Sequence, residues 1–184
     1  MVSYIIGGVV ALVIILVIVW AISAWNSFQR LQVKVKEADS GIDVALTKRY
    51  DTLTKMMAVV KSFAKHEADL FTQVIKLRNG MSMAEKKEAN QCMNDLMGKL
   101  NVVVENYPEL RSARNYIQLK SAIRDAEEHL QAARRLYNAN VSVYNQSIIV
   151  FPANLVNAIT GNKHSIREFF EVDEHKRADV EMNL

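Results

Sequence analysis

Charged side chains are absent from the first part of this sequence. No Asp, Glu, Lys or Arg precedes Arg30, although the 184 residues include 23 Lys and Arg and 20 Asp and Glu. Residues that interrupt helices are also scarce, with two prolines and six glycines. No segment shows the sustained alternation of apolar and polar residues that is typical of a half-buried strand. These absences argue against a β-sheet and favour long helices.

Sequence motifs that indicate catalysis or ligand binding are few as well. The single cysteine, Cys92, cannot form a disulfide within the chain, which excludes a small disulfide-stapled domain. The net charge of +3 is small and mixed in sign, so it does not indicate nucleic-acid binding. We find no glycine-rich phosphate loop, nucleophile elbow or cysteine–histidine pairing. The sequence therefore predicts neither an enzyme nor a cofactor.

An apolar run from Tyr4 to Trp25 fills most of the uncharged part. A helix needs roughly 20 apolar residues to cross the hydrocarbon core of a bilayer, and this run is long enough. In lipid a single span must satisfy its own backbone polar groups, which favours a helix. The rings of Tyr4, Trp20 and Trp25 lie near the ends of the run, where aromatic side chains prefer the membrane interface. We predict a transmembrane anchor with these three interfacial residues.

A cleavable signal peptide is the alternative interpretation of the same run. Small residues within Ala21–Ser23 would suit cleavage, but Met1–Ser3 carries no positive side chain, and the run exceeds the usual core of about 7–15 residues. We therefore expect the segment to be kept as an anchor. Arg30, Lys34 and Lys36 follow it, and the positive-inside rule places that side in the cytoplasm and the N-terminus outside.

Turn-forming residues divide the rest of the chain into helices. The first helix is expected to run without interruption from the membrane to about Arg78, where Asn79–Gly80 would end it. Ser82 and Glu85 have the spacing of a capping box and would begin a second helix that ends near Asn106, before a proline. Short loops at Asn79–Gly80 and near Pro108 indicate that the helices they join are antiparallel neighbours.

A third helix is expected from about Ser112 to Val150, where a proline would break it. Two short helices would follow, one over 153–160 and one from Ser165 through Phe170. The predicted fold is all-α: a transmembrane helix continuous with a long antiparallel bundle of three long helices, plus the short C-terminal helices.

The sequence divides into three predicted parts. Residues 1–29 would form the transmembrane anchor, 30–172 the helical bundle and 173–184 a charged, frayed tail. The stretch from Val141 to Ile159 is apolar, but its asparagines and proline argue against a second span. It would pack against the bundle or mediate assembly or membrane contact.

Apolar residues recur at alternating spacings of three and four along the first and third helices, which is typical of helices that pack together. Charged residues near the first stripe are candidates for ion pairs between helices, with a catalytic cluster as the less favoured alternative. Polar and aromatic residues of the third stripe are candidates for contacts between helices or subunits. The candidate residues are Asp43, Arg49, Asp51, Tyr116, Leu130, Tyr137, Asn140 and Tyr144.

Metal-ligand patterns are weak. His66–Glu67 lacks the second histidine of the H-E-x-x-H pattern, so a solvated helix face is the simpler interpretation. His164, Glu168 and Glu171 have only loosely ligand-like spacing. We predict no metal site.

Five blocks occur in order along the chain. They are Ile42–Leu46 with Lys48–Asp51, Val60–Glu67, Tyr107–Leu110 with Tyr116 and Leu119, Arg134–Asn138 with Tyr144–Asn145 and Phe151–Pro152, and Glu168–Glu171. Together they resemble the LemA family of bacterial membrane proteins over nearly the whole chain. One departure is Thr52–Lys55, where the family often has a proline, so a straighter first helix is expected.

The resemblance implies a membrane-anchored helical protein of the bacterial cell (inner) membrane, with no established enzymatic activity. A relative in the magnetosome membrane suggests membrane organisation by analogy. Our first hypothesis is a structural protein that self-associates into a large homo-oligomer, because an anchor raises the effective concentration of subunits. The second is a membrane-tethered adaptor that presents its bundle to an unknown cytoplasmic signalling or proteolytic partner.

Overall fold

The computed structural model describes residues 1–63, 77 and 80–171. Five helices lie within them: α1 (Val2–Phe63), α2 (Met83–Asn106), α3 (Pro108–Ser112), α4 (Arg114–Ile149) and α5 (Ala153–Ile159). No strand occurs in these residues. The prediction of an all-α protein, whose apolar N-terminal segment continues directly into further helix, is confirmed.

Helix α1 joins the apolar run to the charged region without a break, including Thr52–Lys55. Residues 1–20 are all exposed, and burial becomes periodic only from Phe28 onward. The buried apolar residues of α1 are Phe28, Val35, Ala38, Ile42, Ala45, Leu46, Leu53, Met56 and Val60. The predicted extension of this helix towards Arg78 lies beyond Phe63, almost entirely outside the described residues.

The chain divides into two compact units. The first unit contains Met1–Ala38 and Tyr137–Glu168. The second contains Asp39–Leu136 and, among the described residues, 169–171. Each unit has its own set of buried side chains, so each is described by itself.

In the first unit, α1 and the second half of α4 are antiparallel. The side-chain amide of Asn140 donates to the carbonyl of Lys34 at 3.5 Å. Further along, Phe28 and Tyr144 both pack against the ring of His164. Residue numbers therefore rise on α4 as they fall on α1. The buried apolar residues that α4 and α5 contribute are Tyr137, Val141, Tyr144, Ile148 and Val156.

In the second unit, α1 and α2 run in the same direction. Lys86 near the start of α2 meets Asp39 and Asp43, and Asn94 two turns later meets Arg49. The prediction that α1 and α2 are antiparallel neighbours is therefore wrong. The prediction assumed a tight turn directly before α2, which would have placed the start of α2 beside the end of the first helix.

Local signals fix the ends of the shorter helices. The Ser82 hydroxyl accepts from the Glu85 amide at 3.3 Å, and the Glu85 carboxylate accepts from the Ser82 amide at 2.7 Å, so the predicted capping box is confirmed. Helix α2 ends at Asn106, as expected. Helix α3, with a proline at its first position, was not predicted; it separates α2 from α4.

The predicted helix from Ser165 through Phe170 is wrong. Residues 165–171 follow an irregular path. The side chain of Asn145 donates to the Arg167 carbonyl and accepts from the Arg167 amide, each at 2.9 Å. The Tyr137 hydroxyl donates to the Glu168 carbonyl at 3.0 Å. These side chains of α4 satisfy backbone groups that a helix would otherwise have to pair within the segment.

Candidate functional site

The three aromatic residues of the predicted anchor differ in their surroundings. Tyr4 and Trp20 are exposed, as is every residue up to Trp20. Trp25 is half-buried, and its ring meets the ring of His164 edge-on at 4.9 Å between centroids. Within the described residues, α1 is the one helix long and apolar enough to cross a membrane.

Arg49 forms the most connected polar cluster of the second unit. It lies on the buried stripe of α1 and is only 4% exposed. Its guanidinium donates to the side-chain oxygens of Asn90 at 2.6 Å and Asn94 at 2.8 Å, and it forms an ion pair with Glu127 at 2.9 Å. Since Asn90 and Asn94 are four residues apart, both face Arg49 from one side of α2. One cation thus joins α1, α2 and α4.

A polar cleft of about 180 Å³ opens beside this cluster. Burial lowers the pKa of Arg49 below its ordinary value, while the charge of Glu127 and its hydrogen bond oppose that shift. Arginine nevertheless stays charged in proteins. The cleft is lined by Arg49, Lys87, Asn90, Gln91, Asn94, Glu127, Leu130, Gln131, Arg134, Phe170 and Glu171.

Lys86 forms a second buried cation in the same unit. Its side chain is 1% exposed, and its ammonium lies 2.6 Å from Asp39 Oδ1 and 2.8 Å from Asp43 Oδ1. The two carboxylates are four residues apart, on one face of α1. They remain partly exposed, so the burial cost falls mainly on the lysine. This arrangement fixes the register of α2 against α1.

His164 forms the polar centre of the first unit. Its backbone amide donates to the side-chain oxygen of Asn157 at 3.2 Å, and its backbone carbonyl accepts from the side-chain amide nitrogen of Asn157 at 2.9 Å. Its ring lies among Trp25, Phe28 and Tyr144, with Nδ1 3.2 Å from the Tyr144 hydroxyl. Its buried Nε2 has no hydrogen-bond partner among the described residues.

Acid is expected to weaken the first unit through His164. Burial first, and then the charge of Arg167, lower the pKa of His164 below 6.5. The unfolded chain therefore binds the proton more readily. The stabilisation is complete above pH 6.5 and is lost as the pH falls through the lowered pKa of the folded form.

Trp25 fluorescence would report this transition, because its indole touches the imidazole. In a Trp20→Phe background at constant temperature, we expect an intensity step with its midpoint below pH 6.5. His164→Gln should remove the step. A step of unchanged size in the glutamine variant would assign the transition to another group.

The remaining predicted contact residues are distributed between the units. Asp51 is exposed on α1, and Leu130 is buried on α4 beside the cleft. Tyr116 is buried near the start of α4; burial raises its pKa, and the charge of Arg111 opposes this shift. Asp43, Arg49, Tyr137, Asn140 and Tyr144 make the contacts described above. Sequence reasoning did not single out Lys86, Asn90, Asn94, Glu127 or Asn157.

No group of three or more His, Cys, Asp or Glu residues that could hold a metal ion is assembled within residues 1–63 and 80–171. The three weak ligand candidates near the C-terminal end each have other surroundings. His164 packs among aromatic rings, Glu168 offers its carbonyl to Tyr137, and Glu171 lines the cleft of the other unit. The polar clusters are thus suited to holding helices in register.

The chain matches the model of the LemA family over residues 38–184. It is similar to Protein LemA of Metamycoplasma hominis, with 26% identity over 161 residues that cover 85% of this chain and 73% of that protein. The matched family region includes Arg49, Lys86 and His164. The apolar run of α1 precedes it.

Two magnetosome proteins are similar over a shorter region. Magnetosome protein MamQ 2 of Paramagnetospirillum magneticum is 35% identical over 75 residues, which cover 41% of this chain and 27% of that protein. Magnetosome protein MamQ of Magnetospirillum gryphiswaldense is 33% identical over 67 residues, covering 36% of this chain and 25% of that protein. The matched regions thus span about a quarter of the length of these magnetosome proteins.

Proposed function

Because the chain belongs to the LemA family, we propose that it is a non-enzymatic structural protein that self-associates in a bacterial membrane and organises or shapes it. It is a membrane-associated protein, as its uncovered apolar helix and its relatives indicate. The assembly and its structural role are the proposal. The names of the relatives, which assign those proteins to the magnetosome, support it by analogy.

The observation that carries the proposal is the continuity of α1. One helix contains both the exposed apolar run and the buried stripe from Phe28 to Val60. The anchor is therefore not joined to the folded part by a separate linker. Subunits held in this way lose translational freedom in one dimension, so weak contacts between them become effective.

Exposed apolar side chains outside the anchor provide surfaces for such contacts. Val102 of α2 is 61% exposed and Ile117 of α4 is 56% exposed, and each has an exposed polar neighbour in Asn101 and Gln118. Scattered apolar residues are normal on any protein surface. On an anchored subunit they nevertheless supply the modest affinity that assembly in a bilayer requires.

Assembly can be tested with the full chain in lipid bilayers. Two populations carrying different fluorophores should transfer energy at protein densities where an unrelated single-span protein does not. From the dependence of transfer on protein density, we expect Val102→Asp and Ile117→Asp to raise the dissociation constant about tenfold relative to the matched controls Asn101→Asp and Gln118→Asp, which corresponds to a loss of about 1.4 kcal/mol. Monomers at every density, by energy transfer and by imaging of detergent-extracted particles, would reject self-association.

The topology is also a proposal: the N-terminus outside, a single span, and the helical domain in the cytoplasm of a cell with an inner membrane. The basic residues after the span support it, since Arg30, Lys34 and Lys36 follow the run and none precedes it. A reporter active only in the cytoplasm, fused after Leu184, should be active. Activity of an export-dependent reporter at the same position would show the opposite orientation.

The adaptor hypothesis draws on the polar cleft beside Arg49. Its lining carries both signs of charge and is open to solvent, which suits a polar peptide segment better than an apolar one. A stoichiometric partner bound by a monomeric chain, and lost on Lys87→Glu but not on Lys120→Glu, would favour this alternative.

A further inference from the structure

The end of α4 and the helix that follows it expose apolar side chains. We call Ile149, Val150, Phe151, Leu155 and Ile159 the α4–α5 corner. Phe151 is 74% exposed and Ile159 is 85% exposed. No charged residue occurs from Leu136 to Asn162. An uncharged stretch of chain that exposes five large apolar side chains is unusual for a segment in contact with water alone.

The register of the first unit places this corner beside the apolar run of α1. Asn140 reaches Lys34, and Tyr144 meets the same histidine ring as Phe28. Both helices rise by about 1.5 Å per residue, so in an antiparallel pair the end of α4 at Ile149 lies level with Ala24.

A second set of contacts places the corner at the same height along α1. Asn157 of α5 holds His164 by two hydrogen bonds, and the His164 ring packs on Trp25. The exposure of α1 agrees as well: Ala21, Ala24 and Trp25 are half-buried, whereas all residues before Ala21 are exposed. The corner therefore reaches the last turns of the apolar run.

We propose that the α4–α5 corner inserts into the bilayer interface, as a second membrane contact beside the span. When Tyr4–Trp25 occupies the hydrocarbon core, the corner is brought to the depth of the headgroups and upper acyl chains. Apolar faces of surface helices penetrate about 5–10 Å at that depth. Phe151 and Ile159 enter the lipid, while Asn154 and Thr160 remain near the polar headgroups.

Lipid is the occupant that the geometry favours over a second copy of the chain. The anchor fixes the depth of the corner in every subunit, whether or not subunits associate. The inference thus rests on the membrane anchoring in the proposed function and is independent of self-association. A second copy could cover the corner only by displacing lipid already at that depth.

The test uses the full chain, one copy per lipid nanodisc, in a Cys92→Ser background. A small fluorophore is attached to a cysteine introduced by Phe151→Cys or Ile159→Cys. Ile14→Cys reports the anchor. Val33→Cys is the matched aqueous control, because Val33 belongs to the same unit, is 57% exposed and lies two turns beyond Trp25. Circular dichroism is used to check that all four variants have equal helix content.

We expect lipids with a nitroxide near the carbonyl region to quench the fluorophores at 151 and 159 about twofold, and aqueous iodide to quench them several-fold less than at 33. If the fluorophores at 151 and 159 are quenched to the same extent as the one at 33, while the one at 14 is quenched by lipids with a nitroxide deep in the acyl chains, the inference is rejected and the anchor is left intact. Protection from iodide without lipid quenching would show a protein cover and also reject it. Failure of quenching at 14 by lipids whose nitroxide lies deep in the acyl chains would reject the anchoring itself.

Discussion

The double substitution Asp39→Asn/Asp43→Asn is expected to destabilise the second unit by about 3–5 kcal/mol, the usual cost of leaving a buried charge without its partner. Lys86 would keep its ammonium in a site where 1% of the side chain reaches solvent. Either single substitution leaves one carboxylate in place and should have a smaller effect. Thermal unfolding followed by circular dichroism in mild detergent should show a fall of about 10 °C in the melting temperature.

Charge removal on both sides provides the control for this prediction. Adding Lys86→Met to the double variant removes the ammonium and keeps most of the apolar stem, so most of the lost stability should return. Hydrogen exchange of α2 peptides should be fastest in the double variant and should slow again when Lys86→Met is added. If the double variant had the same melting temperature as the unchanged protein, the burial of Lys86 would not require these carboxylates.

Arg49→Met is expected to cost about 3 kcal/mol, because it removes a buried cation and leaves several acceptors unpaired. Asn90, Asn94 and Glu127 would each lose the guanidinium that now lies within 3 Å. Arg49→Lys should recover only part of this loss, since one ammonium cannot reproduce the planar fork of donors. The melting temperature and the hydrogen exchange of α2 and α4 are the measurements.

Two variants test whether the effect belongs to the cluster. Arg124→Met removes an exposed arginine of α4 and should change stability by about 0.5 kcal/mol or less. Glu127→Gln keeps an acceptor for Arg49, and the carboxylate is 42% exposed, so its cost should be about 1 kcal/mol or less. Equal effects of Arg49→Met and Arg124→Met would contradict a special role for Arg49.

Features encoded within a few residues were predictable from the sequence. The capping box at Ser82 and Glu85, the end of α2 before Pro108 and the uncharged run of α1 all depend on neighbours in the chain. The relative direction of α1 and α2 is evident only from contacts between distant residues, such as Lys86 with Asp39, and local signals do not carry that information. The helix expected from Ser165 does not form, because the side chains of Asn145 and Tyr137 on α4 make hydrogen bonds to the backbone of this segment.

The polar clusters were only partly predictable. Asp43 and Arg49 stood out because their charges lie near an apolar stripe, but nothing local indicates Lys86 or Glu127 as partners. Lys86 carried a weak signal, since it continues the three-and-four spacing of Ala89 and Met93. A charged residue at such a position is usually assigned to the surface. Its burial becomes evident only when Asp39 and Asp43 are seen beside it.

The contact between Trp25 and His164 has a consequence for biosynthesis. A ribosome makes Trp25 early and His164 far later. The first unit has no complete interior until the segment around His164 has left the ribosome. Closure of the fold around Trp25 is therefore a late event, and a ribosome that stalls after α4 leaves Trp25 and Phe28 without the ring that covers them.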